Sequence, residues 1–424
     1  MDCSMKGSSV LARMSAPAQL ACAQSIMNLF EHINSAPPDP ILGLTEDFKA
    51  DPRPEKISLG AGIFQDATGK CPVLHVVREA EQRLAAGQQS KSYLPIAGAG
   101  DYIRAIQRLT FGSHSRLIDT GHVATVQTPG GTGALRLVSE FIRRVLGRRT
   151  VWISQPTWAN HPAILQAADL PTAGYPYFDA ASNTLNLAGM LTVLENIPEN
   201  DVVLFHGACH NPTGVDPTDE DWTTIAKICK ERRLLPLVDF AYQGFGDSLF
   251  QDAVALRAFS EYGLEYFVCT SYSKNFGLYA ERVGGLHVVA KNPTETANIL
   301  SQLRVLIRAN WSNPPAHGAA IVATILGDPD LKLAWKAELR GMREHIHAMR
   351  ALLVDGLKAA GCTRDFSFIR DQRGMFSFTG LTPEQVTALR RDHAVYMVQS
   401  GRINVAGVNP DNVERLCAAI VHVL

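Results

Sequence analysis

The chain has 424 residues, 46% of them hydrophobic and 19% charged, enough to bury a sizeable core and to divide into more than one domain. Lys plus Arg number 40 against 41 Asp plus Glu, a formal charge of -1, so nothing in the balance asks for nucleic acid or an anionic membrane as partner. No run reaches the roughly 20 continuous apolar residues that cross a bilayer, and the eight cysteines form no CxxC pair, which reads as free thiols in a reducing compartment such as the cytoplasm.

Residues 1–25 (MDCSMKGSSVLARMSAPAQLACAQS) lack a long apolar run and a clear cleavage pattern, and read as a tail; an organellar leader in residues 1–20 is the lesser alternative. Residues 34–56 are rich in proline and charge, which favours an extended surface arm. Helical spacing follows from Val73 to Ala86 and from Tyr102 to Thr110, with a glycine-rich loop, SYLPIAGAG, between them.

The middle of the chain alternates. Short apolar runs at 123–127, 150–153, 201–205, 234–238, 265–269 and 284–289 read as strands buried on both faces, with helices between many of them, such as 133–146. That rhythm predicts an α/β fold on a mostly parallel sheet, with its ligand beyond the carboxyl ends of the strands. After about residue 330 long amphipathic helices take over, followed by strands near 375–379 and 402–406 and a closing helix at 411–423: a second, smaller domain that the N-terminal segment joins.

Four runs carry candidate chemistry. In TSYSKNFGLYAERVGG, Lys274 follows an apolar strand, where partial desolvation favours the neutral amine that Schiff-base chemistry needs; Ser271 and Arg282 nearby suit an anion. In PLVDFAYQGF, Asp239 ends a strand. It either pairs with a pyridine nitrogen and makes the ring an electron sink, or caps a turn or helix, and local evidence divides evenly. Tyr242 is either a cofactor hydrogen-bonder or core filler. In HGACHNPTG, Asn211 stands in a turn at a strand's carboxyl end, while His206 and His210, four apart, read as core or supporting groups because no Glu completes a zinc motif.

In TPGGTGALR, glycines between strand and helix free backbone donors for a phosphate, Thr132 adds a hydroxyl, and neither the Walker nor the GxGxxG pattern is met. Trp158 can stack on a planar ring or fill the core. Arg308 and Arg402 lie in apolar or small-residue segments, where each has either a substrate carboxylate or an internal salt bridge as partner.

Taken in order, YLPIAG, GTGALR, HNPTG, DFAYQGFG, SYSKNFGLYAERVG, WSNPP and SGRIN make the chain, from about residue 38 to its end, resemble the aspartate and aromatic aminotransferases, pyridoxal phosphate enzymes of fold type I. The resemblance implies a large cofactor domain at 71–341 with a mostly parallel seven-stranded sheet, a smaller α+β domain from 38–70 and 342–424 that closes over substrate, and a tail and dimer arm in 1–37. Lys274 would hold pyridoxal 5'-phosphate as a Schiff base. Asp239 would meet the ring nitrogen, Asn211 and Tyr242 the ring oxygen, and Trp158 the ring face, while Gly131, Thr132, Ser271 and Arg282 would hold the phosphate.

Tyr93 would reach that phosphate from the partner subunit of a homodimer, and His161 and His206 would stand behind the aspartate. Arg402 would fix the substrate α-carboxylate beside Gly62, Trp158 and Asn211, and Arg308 of the partner copy the distal one. No metal is implied. The implied reaction is ping-pong amino transfer from L-aspartate to 2-oxoglutarate. An aromatic or broad preference is the alternative, and a lyase on the same cofactor a more distant one. Gly130 departs from the family's usual Ser, and Ile63 with Phe64 add bulk at the pocket, whereas Thr132 and Asn313 match the aspartate-type pattern.

Overall fold

The computed structural model describes residues 30–35, 42–87 and 90–424. Residues 30–35 belong to a unit of their own, Met1–Asp39, and contain a turn closed by Ile33 N–H donating to Phe30 O. The rest of the expected tail and dimer arm, and the leader reading of 1–20, lie outside the described residues.

The second unit runs from Pro40 to Leu424. Among its described residues are thirteen strands, in chain order β1 Ile57–Ser58, β2 Val123–Pro129, β3 Val151–Gln155, β4 Thr172–Pro176, β5 Phe178–Asp179, β6 Thr184–Leu185, β7 Val202–His206, β8 Leu235–Phe240, β9 Tyr266–Ser271, β10 Val283–Val289, β11 Phe376–Phe378, β12 Val395–Tyr396 and β13 Arg402–Asn404. Seven form one sheet in the order β2-β10-β9-β8-β7-β3-β4. The run from β9 to β4 is parallel, and β10 is antiparallel to both of its neighbours. The α/β expectation and the predicted strands therefore stand.

β4 escaped the sequence reading because TAGYP carries a glycine and a proline; it lies at the sheet edge, where a missing N–H is tolerated. A second departure is the helix Leu42–Ala50, in the segment expected to be extended. The prolines of that segment flank these nine residues without entering them, so none breaks the turn.

Both faces of the sheet are covered. Along β7, Val202 and Leu204 belong to the buried cluster that also holds Leu135 and Val138 of the helix Gly130–Arg144, whereas Val203 and Phe205 belong to the other, in which Phe205 meets Trp222 and Phe259. Each fully buried side chain of this kind contributes about 1.5–3 kcal/mol, which fixes the register, since a one-residue slip would exchange the two faces. The helix Asp219–Glu231 starts on a Thr218–Asp221 capping box.

The first and last parts of this second unit meet each other. β1 pairs with β12 and β11 with β13, and Asn404 N–H donates to Leu59 O at 2.7 Å. The 31-residue helix Pro329–Ala359 joins the parts: Trp335 donates to Asn275 O at 2.7 Å and stacks on Phe276 at 4.4 Å, while Arg350 further along is buried. One long helix thus braces both the segment after Lys274 and the strands that carry Arg402.

Candidate active site

His206, Asp239 and Ser271 occupy the last two positions of β7, β8 and β9, which are parallel, so they arrive at one edge of the sheet. The helix Gly130–Arg144 begins directly after β2 at the same place. A cavity of about 220 Å3 opens there, and Gly62, Gly131, Thr132, Trp158, His206, Asn211, Asp239, Tyr242, Ser271, Lys274, Arg282 and Arg402 all line it. It is the crevice beyond the strand ends that a parallel sheet leaves for ligands.

Lys274 is partly buried, with Nζ 5.1 Å from the centre of the Tyr242 ring. Desolvation draws its pKa down, the Asp239 carboxylate opposes this, and the Arg282 charge adds to it. The amine is thereby brought nearer to the neutral, nucleophilic form.

Asp239 caps no helix. It lies inside β8, only 9% exposed, and its Oδ2 is 3.0 Å from His161 Nε2. Burial raises its pKa, but the His161 hydrogen bond, with the electrostatic pull of the groups around the carboxylate, outweighs it and the net shift is downward. His161 Nδ1 lies 2.8 Å from Thr157 Oγ1, which is 3.3 Å from His206 Nε2.

Desolvation lowers the His206 pKa to about 3, helped by His161 and opposed by Asp239, so His206 is neutral. A consistent direction follows: His206 donates to Thr157, Thr157 to His161 Nδ1, and His161 Nε2 to the carboxylate. His161 does not line the cavity; it acts through Asp239, and its ring meets the edge of Trp158 at 5.2 Å.

An anion cradle lies at the helix start. Pro129 provides no side-chain cap, so the first turn of Gly130–Arg144 presents uncapped backbone donors beside Ser271 and Arg282. A Cβ at Gly130 would stand 2.4 Å from Arg282 Nη2, and φ there is +74°; a Cβ at Gly131 would be 3.0 Å from Ser271 Cβ. Gly130 leaves the arginine where a side chain would displace it.

Asn211 is 6% exposed in a turn tied down by its neighbours. The Asp216 carboxylate accepts from Cys209 N–H at 2.7 Å and His210 N–H at 2.8 Å, and Gly214 N–H donates to His210 O. His210 Nε2 is 2.9 Å from Ser154 Oγ, which bears out a core role for that histidine.

Arg402 is 4% exposed and has no carboxylate partner among the described residues, which removes the salt-bridge reading. Its Nη2 donates to Gly60 O at 2.6 Å, its Cζ lies 4.3 Å from the centre of the Phe376 ring, and its Nε has no partner among the described residues. Burial lowers its pKa to about 10, with Tyr242 opposing. It remains a cation with spare donors facing the cavity. Arg308 and Tyr93 lie outside the cavity: Arg308 is exposed and bonds Ser312, and Tyr93 is 92% exposed.

Phe376 and Ser273 line the cavity, and nothing in their sequence surroundings had singled them out. Phe376 supports Arg402 energetically as well as in space, since a guanidinium over a ring is attractive. Its own place is set by buried Arg350, which donates to Phe376 O at 2.7 Å and to Gly374 O at 2.7 Å. Asn404 was also missed: its amide donates to Ala61 O and Ile63 O, both at 2.7 Å, holding the Gly62 loop against β13. Its signals were its place at the end of SGRIN and its position two residues after Arg402 on one strand, and hence on the same face.

A family model for aminotransferases of class I and II matches residues 54–420, and the chain belongs to that family. It is 51% identical to an aspartate aminotransferase of Escherichia coli (strain K12) over 396 residues, 93% of this chain and 100% of the relative. An aromatic-amino-acid aminotransferase of Pseudomonas aeruginosa is 47% identical, covering 94% of this chain and 99% of the relative. Among solved structures, the aromatic-amino-acid aminotransferase of Burkholderia pseudomallei, covalently bound to pyridoxal phosphate, aligns with a TM-score of 0.91 at 47% identity, over 93% of this chain and 99% of that one.

Proposed function

We propose that the protein is an aspartate aminotransferase that binds pyridoxal 5'-phosphate and moves the amino group of L-aspartate to 2-oxoglutarate, giving oxaloacetate and L-glutamate. The observation that carries this reading is one cavity holding a desolvated Lys274, a hydrogen-bonded Asp239 and an Arg402 with no carboxylate partner among the described residues.

The residues fit the cofactor. Asp239 suits a protonated ring nitrogen, Asn211 and Tyr242 the ring oxygen, and Trp158 a ring face; Ser271, Thr132, Arg282 and the Gly131 amide suit the phosphate. When bound, that group supplies an electron sink and a carbonyl carbon able to link to Lys274. Lys274, once free and neutral, takes the proton from the substrate Cα as general base. His161 and His206 keep Asp239 ionised and oriented. Arg402 grips the α-carboxylate next to Gly62 with the donors it leaves unused.

Arg308 and Tyr93, exposed in one protomer, are assigned to the partner's cavity in a homodimer, Arg308 for the distal carboxylate and Tyr93 for the phosphate. Residues 71–341 are read as the large domain, and 38–70 with 342–424 as the part that closes over substrate. The compartment proposed is the cytoplasm; among the described residues no helix is long and apolar enough to cross a membrane.

An aromatic or broad preference is the second reading, favoured by the apolar face of Phe376 in the cavity and by the aromatic aminotransferase among the relatives; Ile63 and Phe64, expected to add bulk there, do not line the cavity, and Phe64 packs in the core against His345. Steady-state rates for aspartate, tyrosine and phenylalanine with 2-oxoglutarate as acceptor, and for glutamate with oxaloacetate, decide between them. The aspartate reading requires the highest kcat/KM for aspartate; a higher value for tyrosine or phenylalanine would replace it with the second.

A further inference from the structure

A second cavity, of about 400 Å3, is built from the connection after β7, the segment after β8 and the short helix Phe368–Asp371 with the two residues beyond it. None of its lining residues lines the Lys274 cavity. Its walls carry Asp216, Asp219, Asp247, Asp252 and Asp371 against one basic side chain among the described residues, Arg373, which pairs with Asp247 at 2.6 Å. The other four carboxylates have no ion-pair partner among the described residues.

Their hydrogen-bond capacities differ. Asp252 accepts from four backbone N–H groups, those of Gly244, Gly246, Asp247 and Ser248, and contributes only its charge. Asp216 accepts two, leaving lone pairs free. Burial pushes both of these carboxyls upward in pKa, with the backbone donors opposing, as expected where a compensating cation is lacking.

A second observation, independent of charge, points to a ligand. Gln372 lines the cavity, is 2% exposed, and neither its Oε1 nor its Nε2 has a partner among the described residues; Asn183, which also lines the cavity, has an Oδ1 likewise unpartnered among them. Buried polar atoms are nearly always hydrogen-bonded, so the two amide oxygens call for a donor, while Gln372 Nε2 calls for an acceptor that a bound water or the ligand's counter-group can supply. A metal ion is the wrong occupant, because no group of three or more His, Cys, Asp or Glu among the described residues could hold one. The free acceptors are two amide oxygens and spaced carboxylates, which suit several N–H donors fixed in a plane.

We propose that this cavity binds a small organic cation with a guanidinium headgroup, received by Gln372, Asn183, Asp216 and Asp371. The site stands apart from the aminotransferase reading and survives its failure. The probe is methylguanidinium chloride, which lacks a primary amine and so cannot link to a carbonyl cofactor. It is dialysed to equilibrium against the full-length holoenzyme in about 0.15 M NaCl, where exposed pairs are screened.

The result expected is saturation at one equivalent per chain, with affinity at least about tenfold weaker in Gln372→Leu and in Asp371→Asn. Binding that never saturates, or equal affinity in the wild type and the variants, overturns the proposal. If Gln372→Leu fails to fold, Asp371→Asn decides alone, since its side chain is exposed on the rim.

Discussion

His161 Nε2 stands 3.0 Å from Asp239 Oδ2, and the other nitrogen of the same ring is held at 2.8 Å by Thr157. A carboxylate buried to this degree would ordinarily take up a proton, and the imidazole donor is what keeps it charged. Asp239→Asn is expected to lower kcat by about 10²–10³-fold, the usual effect of losing one preorganised electrostatic group. His161→Leu, which leaves the carboxylate in place, is expected to cost about 10–100-fold.

The same pair sets a pH dependence. The pKa of Asp239 is depressed in the folded protein, so its contribution to stability is complete above the unfolded value of about 3.9 and is lost as pH falls through the folded value. Urea unfolding of wild type and Asp239→Asn should show a difference that is constant above about pH 4 and shrinks below it. A difference that grows on acidification contradicts the assignment.

Lys274 works in the opposite sense. Its folded pKa is also depressed, but for a base this means that the folded state binds fewer protons than the unfolded one. The destabilisation is full below the folded value and is relieved as pH rises towards about 10.4. Cofactor-free Lys274→Met should therefore melt above cofactor-free wild type at pH 7, by about 2 °C or more. That gap should narrow as pH approaches 10, and thermal scans across this range check the sign.

Residue chemistry made part of this site legible in the sequence, and packing concealed the rest. Lys274, Asp239, Asn211 and Arg402 are polar residues in or next to apolar segments, where an uncompensated group is costly, so each asks for a partner, which the local sequence leaves open between a ligand and another protein group. Phe376 belongs to the run MFSFT, and nothing local separates a phenylalanine that supports Arg402 from one that fills a core. Arg350 and Asn404 act on backbone carbonyls distant in sequence, a role that emerges only once β11 and β13 are paired. The helix Leu42–Ala50 and the edge strand β4 were obscured by prolines at their borders, which mark the boundary of an element but not its type.

Arg402 and Phe376 can be separated kinetically. Arg402→Lys loses the planar fork and should lower kcat/KM for every amino acid tested by about 10–100-fold, the range for a hydrogen bond to a charged group. Phe376→Leu keeps the guanidinium and removes the ring 4.3 Å beneath it, for an expected loss of about 2–30-fold, chiefly in KM. Equal losses in the two variants would argue that the ring, not the fork, sets carboxylate binding.

Arg308 tests both the dimer and the substrate. Arg308→Ala should lower kcat/KM for aspartate and glutamate by about 10²-fold or more, the effect of removing one partner of a charged pair, while tyrosine and phenylalanine change only a few-fold. Uniform loss across all four substrates would place Arg308 in structure, outside recognition.

Lys274 as the carrier of the cofactor is the claim on which the rest depends, and borohydride reduction of the holoenzyme followed by peptide mass mapping addresses it most directly. A phosphopyridoxyl mass increment is expected on the peptide containing Lys274, and no such increment in Lys274→Ala. A label on any other lysine, or no label on a wild-type protein saturated with pyridoxal 5'-phosphate, would contradict it.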